Sequence, residues 1–409
     1  MRAGVVRAHP VCHRDPMAGC TCPDGRLAPL GDGAELALPW AGLLVLPIDY
    51  ESMADLTTGL VSYRFGSPSH RFQHGILHFV QALGSPFLHR HGLRLLRMAE
   101  EVVAGADAGP FRAETAVLRR PNASGLTAED LLESAAEVES ARMTYASLIG
   151  FVAIGSPAEH YRAELHQAYP DPAEPRRKAF DLLAGRIGVE PAYELLALLT
   201  FLAFIGDDPP GMFDQFLPVV AAQPAAFAAL SAAQLLDRLG WADNYEDYLD
   251  RVAAGEPIGS SFVVDPLSAA LRLHGRSALL EILARPATHL LSLGEQELRA
   301  IEPPLIVYPS RGGGLVHHRN GLANGPDPEL AGRIITAVGL YGAAERLAGV
   351  AASTPVYCLH TGCPFHHAGL CDRWFLPPSS AQGHDACAFG RVFRNVAGTD
   401  PARARAARS

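Results

Sequence analysis

The stretch His74-Gly75-Ile76-Leu77-His78 places two imidazoles four residues apart. On a helix that spacing puts both rings on one face, one turn apart, where they can hold one metal ion. The surrounding segment from Ser67 to Gly84 reads as such a helix. Ser67 suits its N-cap, Pro68 its first helical position and Gly84 its exit. At about 100° per residue, His70, His74, His78 and Gln81 form one stripe. Phe72, Ile76, Phe79, Val80 and Leu83 form the opposite one. A competing reading is an ordinary amphipathic helix whose histidine face is solvated, since 17 histidines in one chain produce some pairs at this spacing by chance.

A second helix is marked from Thr127 onward. Thr127 and Asp130 make a capping-box-like start. Glu129, Glu133, Glu137, Ser140 and Thr144 then share one face, with Leu131, Val138 and Ile149 on the other. Together the two patterns resemble the zincin metallopeptidases. The histidine pair followed by Phe79-Val80-Gln81 is similar to the H-E-x-x-H-F-x-Q of bacterial zincin-like proteins. Leu132-Glu133-Ser134-Ala135-Ala136 is similar to the L-E-G-x-A form of the later helix that supplies the third metal ligand in the glutamate-zincin subgroup. The resemblance spans residues 35–150. It implies zinc held by His74, His78 and Glu133, with Glu137 either orienting a histidine or serving as the ligand itself.

One position departs from that family. Its catalytic glutamate, the base that activates the zinc-bound water, is here Gly75. Glycine has no group to take a proton, so the expected protein is a degenerate HGxxH form: a pseudoenzyme or metal-binding scaffold. A metal-dependent hydrolase would need another base, and Glu137 and His70 are the candidates. A third reading is a helical interaction protein with a C-terminal zinc or iron–sulfur site, in which the histidine pair has no role.

Chemistry of another kind is concentrated near the end of the chain. Cys358, Cys363, Cys371 and Cys387 lie among His360, His366, His367 and His384. Four thiolates can hold zinc tetrahedrally or an iron–sulfur cluster, and Cys363-Pro364 keeps the cluster open as an alternative. Cys12, His13, Cys20 and Cys22 sit in a Gly/Pro-rich N-terminal stretch and read as free thiols. Seven cysteines, an odd number in so long a chain, do not form a disulfide framework pattern.

Composition bounds the rest. With 48% hydrophobic and 19% charged residues, the chain can bury a large core. A net charge of −9 argues against binding nucleic acid by phosphate neutralisation. The apolar run Leu195 to Ile205 is too short to span a bilayer and reads as a buried helix. The first twenty residues contain no apolar h-region, so a cytoplasmic location is expected and no membrane partner; the partner is left open, a protein being one option.

The elements that must position these residues are mostly helical. Short strands are expected within 35–49, a short helix at 51–61, and helices at 87–103, 127–145, 158–168, 175–187, 190–205, 225–239, 244–254, 265–284 and 295–301. Strands are expected around 303–309 and 315–318, and a last helix at 327–350. The expected fold class is mainly α with a small N-terminal β element, zincin-like α+β, a helical remainder and a small Cys-rich C-terminal segment. The expected organisation is an arm at 1–33, a zincin-like domain at 34–150, a helical scaffold at 151–302, a strand-turn-helix segment at 303–350, a Cys/His-rich subdomain at 351–396 and a tail at 397–409.

Overall fold

In the computed structural model of the chain, the described residues are 36–38, 40, 43–45, 68–148, 156–294, 297, 298, 300–310, 313–318 and 328–350. The stretches expected as an N-terminal arm, as a helix at 51–61, as a Cys/His-rich subdomain and as a tail lie outside them. So do Ser67 and the cysteine set Cys358, Cys363, Cys371 and Cys387.

The protein is mainly helical. In chain order the elements are β1 (Leu36–Leu38), β2 (Leu43–Val45), α1 (Pro68–Gly84), α2 (Pro86–Val103), α3 (Gly109–Thr115), α4 (Ala128–Leu148), α5 (Pro157–Ala168), α6 (Pro175–Ile187), α7 (Val189–Ala203) and α8 (Pro209–Ala222). They continue with α9 (Pro224–Ala228), α10 (Ala232–Arg238), α11 (Ala242–Ala253), α12 (Ser261–His274), α13 (Arg276–Ala284), α14 (Pro286–His289), β3 (Leu305–Ser310), β4 (Gly313–His318) and α15 (Pro328–Leu347). No helix among the described residues is long and apolar enough to cross a membrane.

The chain divides into two compact units, and the division falls within α2. One unit takes its described residues from within 68–90 and 116–302, and its described elements are helices. Its centre is α7, where the run Leu195 to Ala203 is buried almost without interruption, as a buried helix requires. Helix α4 packs against α1, α6 and α7. It is buried on several faces, and each polar residue turned inward has a specific partner. Ser134 Oγ donates to the Pro175 carbonyl at 2.6 Å and accepts from Ala179 N at 3.1 Å, which fixes α6. Glu139 accepts from Ala287 N at 2.6 Å in the first turn of α14 and from Arg142 Nη1 at 2.9 Å. The start of α4 is a reciprocal box: Asp130 N donates to Thr127 Oγ1 at 3.0 Å and Thr127 N to Asp130 Oδ2 at 2.8 Å.

Two expected helices are broken in two. The 225–239 stretch parts before Ser231, which caps α10 through a full capping box with Gln234. The 265–284 stretch begins earlier, at Ser261 with Ser260 as cap, carries Pro266 inside, and ends its first half at Gly275. Gly275 has φ +73°, a conformation that a residue with a Cβ rarely adopts, so α12 and α13 are separate helices.

The other unit takes its described residues from within 36–45, 91–115 and 303–350. Its strands form one sheet in the order β1-β2-β3-β4. β1 and β2 are antiparallel, with Leu36 opposite Val45; β2 and β3 are parallel, with Leu43 opposite Leu305. β3 and β4 are antiparallel, with Leu305 opposite His318. Its helical core joins Leu95, Ala99, Val102 and Val103 of α2 to Phe111 of α3 and to Leu340, Tyr341 and Ala344 of α15, with Trp40 packed against the cluster. The Trp40 and Tyr341 rings meet edge to face at 4.8 Å.

Candidate metal centre

The histidine stripe of α1 is not solvated. His70 and His74 are 4% and 3% exposed. They face the glutamate stripe of α4, and the pairings run in opposite senses along the two helices. His70 meets Glu137 and Ser140, His74 meets Glu133 and Glu137, His78 meets Glu133, and Gln81 meets Leu132. The two helices are therefore antiparallel here. Because both stripes repeat every four residues, each carboxylate falls between two consecutive histidines, forming a ladder.

The lower end of the ladder brings His74, His78 and Glu133 together. His74 Nε2 and His78 Nε2 are 3.0 Å apart. Glu133 Oε2 lies 3.2 Å from His74 Nε2, and Glu133 Oε1 lies 3.4 Å from His78 Nε2. Ligands of a tetrahedral zinc ion with bonds of about 2.0–2.1 Å stand about 3.3 Å from one another, so these separations are those of one coordination shell. Glu133 is the outermost of the three, with its side chain 28% exposed.

Gln81 fixes His78. Its Nε2 donates to the Leu132 carbonyl at 3.0 Å, which leaves Oε1 to accept from His78 Nδ1–H at 2.9 Å. The neutral ring then presents a bare Nε2 lone pair toward His74 and Glu133, the form a metal ligand needs.

The upper end holds His70, His74 and Glu137. His70 Nε2 is 2.9 Å from Glu137 Oε1, and His70 Nδ1 is 3.0 Å from Ser140 Oγ. Tyr169, just past the end of α5, donates to Glu137 Oε1 at 3.3 Å. Arg176, in the first turn of α6, donates through Nη1 to the Tyr169 hydroxyl at 2.9 Å and through Nε to Glu133 Oε2 at 3.4 Å. Burial alone would lower the pKa of His74, but the Glu133 and Glu137 carboxylates outweigh it and hold the imidazole up at about 10. Burial likewise works to raise both carboxylates. For Glu133 the neighbouring His78 and His74 prevail, and for Glu137 His70 and His74, so both lie below the usual carboxylate range. Burial raises the Tyr169 hydroxyl, with the Glu137 charge adding to it, so Tyr169 remains a proton donor.

The structure thus brings together His70, His74, His78, Glu133 and Glu137, all five of the histidine and glutamate candidates. Gln81 belongs to the expected stripe and to the His-Phe-x-Gln pattern. Tyr169 and Arg176 carried no signal: each is a single polar residue in a stretch without a motif. Gly75 is buried within α1. His89 and His91, two apart on α2, diverge: His89 Nδ1 pairs with the Tyr248 hydroxyl at 2.5 Å, and His91 Nδ1 with Glu114 at 2.7 Å. Comparison of the chain with protein-family models, curated proteins and solved structures finds no match.

Proposed function

We propose that this protein binds a divalent metal ion of the zinc class through His74, His78 and Glu133, as a non-catalytic relative of zincin-type metallopeptidases or a metal-binding scaffold. The observation that carries the reading is the triangle of 3.0–3.4 Å between two imidazole Nε2 atoms and a carboxylate. Two nitrogens and one oxygen are a donor set suited to zinc. His74, His78 and Glu133 would hold the ion, and an ion so held supplies Lewis-acid chemistry.

The non-catalytic part rests on what surrounds the triangle. Gly75 supplies no base. Glu137 is 1% exposed and already accepts from His70 and Tyr169. His70 is held between Glu137 and Ser140. Neither substitute base stands free to take a proton from water.

The test is metal content by mass spectrometry on protein purified without chelator. Wild type is compared with His74→Ala/His78→Ala and with Cys363→Ser/Cys371→Ser, and each is assayed on peptide substrates. The expected result is zinc lost from the histidine variant, with no peptide hydrolysis in wild type. Metal lost only from the cysteine variant would remove this reading and leave a helical protein with a cysteine site. Hydrolysis that disappears with His74 would restore the enzyme.

A further inference from the structure

The ladder contains a second set of ligand atoms. His70 Nε2 lies 2.9 Å from Glu137 Oε1, and His74 Nδ1 lies 3.0 Å from Glu137 Oε2. Atoms of His70, His74 and Glu137 all lie within 4.8 Å of one another, as do those of His74, His78 and Glu133. His74 is the shared member: it turns Nε2 to one set and Nδ1 to the other.

The contact at Nδ1 is informative in its direction. Nδ1 has the Glu137 Oε2 carboxylate oxygen 3.0 Å away, and the pair falls outside hydrogen-bond geometry about the ring's N–H axis. In a hydrogen bond the acceptor occupies that axis. In shared coordination the metal occupies it, and the second ligand stands to the side at about 3 Å. The outer contacts are also in place. Ser140 Oγ meets His70 Nδ1 at 3.0 Å, so that Nε2 is the nitrogen turned to Glu137. Tyr169 donates to Glu137 and is itself held by Arg176.

We propose that a second divalent cation binds to His70 Nε2, His74 Nδ1 and Glu137, and that His74 bridges the two ions as an imidazolate. The inference rests on the reading of His74, His78 and Glu133 as a metal site. On binding both ions His74 releases its ring protons to solvent, and no electron is transferred. Two carboxylates and one imidazolate then carry three negative charges against four positive ones, a near balance in a buried site. Imidazole-rich sets of this kind suit Zn²⁺ and Cu²⁺.

The experiment uses the full chain, stripped with chelator and reloaded with Zn²⁺ or Cu²⁺ as the probe. Bound metal per chain is measured for the parent and for His70→Ala, His74→Ala and His78→Ala, each checked by circular dichroism, with His→Gln replacing any alanine variant that does not fold. The expected loss is one equivalent in His70→Ala, one in His78→Ala and two in His74→Ala. Copper-loaded parent is expected to give an electron paramagnetic resonance signal well below the intensity of its bound copper, through coupling across the bridge. His70→Ala is expected to give full intensity. If His70→Ala keeps all the metal of the parent while His74→Ala and His78→Ala each lose one equivalent, the second ion is overturned and the first stands. If no histidine variant loses metal, both are overturned.

Discussion

His78 Nε2 stands 3.0 Å from His74 Nε2. With His78 Nδ1–H committed to Gln81, its Nε2 has a lone pair to present. Two imidazole nitrogens at that distance need a proton or a cation between them. In the metal-free chain the proton comes from His74, which the two carboxylates keep charged. The proposed metal takes the place of that proton.

Gln81→Leu is expected to weaken metal binding about 10–100-fold while leaving the fold intact, because the amide is what fixes the His78 tautomer and ring angle. A competition titration against a chromogenic chelator reads the affinity. Equal affinity in the variant would mean that His78 is oriented by something else.

Glu139 shares α4 with the ladder but serves the fold. It is 1% exposed and joins Arg142 to the first turn of α14. Removing one member of such a buried pair typically costs about 3–5 kcal/mol. Glu139→Ala is therefore expected to lose stability of that order in urea titration and to retain its metal at low temperature. Glu133→Ala should do the reverse, keeping most of its stability and losing metal.

Gly92 allows α2 to approach Trp40. A Cβ at this position would stand 2.6 Å from the Trp40 Cβ, closer than packed atoms allow. Gly92→Ala should destabilise the protein by about 1–3 kcal/mol, the usual cost of overpacking. Pairing it with Trp40→Gly, which removes that Cβ, should recover part of the loss in a double-mutant cycle. An additive result would separate the two residues.

His89 sets an acid limit on stability. Burial is the main cause that lowers its pKa from 6.5 to about 3, against a smaller opposing effect of the Ala82 carbonyl. Below pH 6.5 the unfolded chain takes up a proton that the folded chain refuses, so the unfolded state binds more protons and stability falls. The loss accumulates as pH drops from about 6.5 toward about 3. The slope of melting temperature against pH over that window should be shallower in His89→Leu than in wild type. An unchanged slope would show that His89 is protonated inside the fold.

The local pattern was sufficient for much of this. Pro68, Gly84 and the four-residue spacing placed the histidines on one helix face. Thr127 and Asp130 placed the start of α4 and hence the phase of its glutamates. The helix expected at 175–187 coincides with α6, and the apolar run from Leu195 agrees with the burial of α7. These are signals within a few residues, where backbone geometry and side-chain period act directly. Gly275 shows the limit of periodicity, since apolar spacing carries across a residue whose φ ends the helix.

Local spacing alone gives two helices with matching stripes, histidine on one and glutamate on the other. The same stripes would describe two solvated faces. Long-range packing sets them against each other, antiparallel, with His70 opposite Glu137 at a chain separation of 67 residues. It also decided that Tyr169 and Arg176 reach the carboxylates from the α5–α6 connection, and that α2 is shared between the two units. The physical reason is that a helical period fixes which side chains share a face. Which face buries which depends on packing among distant segments, here around α4, and no local spacing records it.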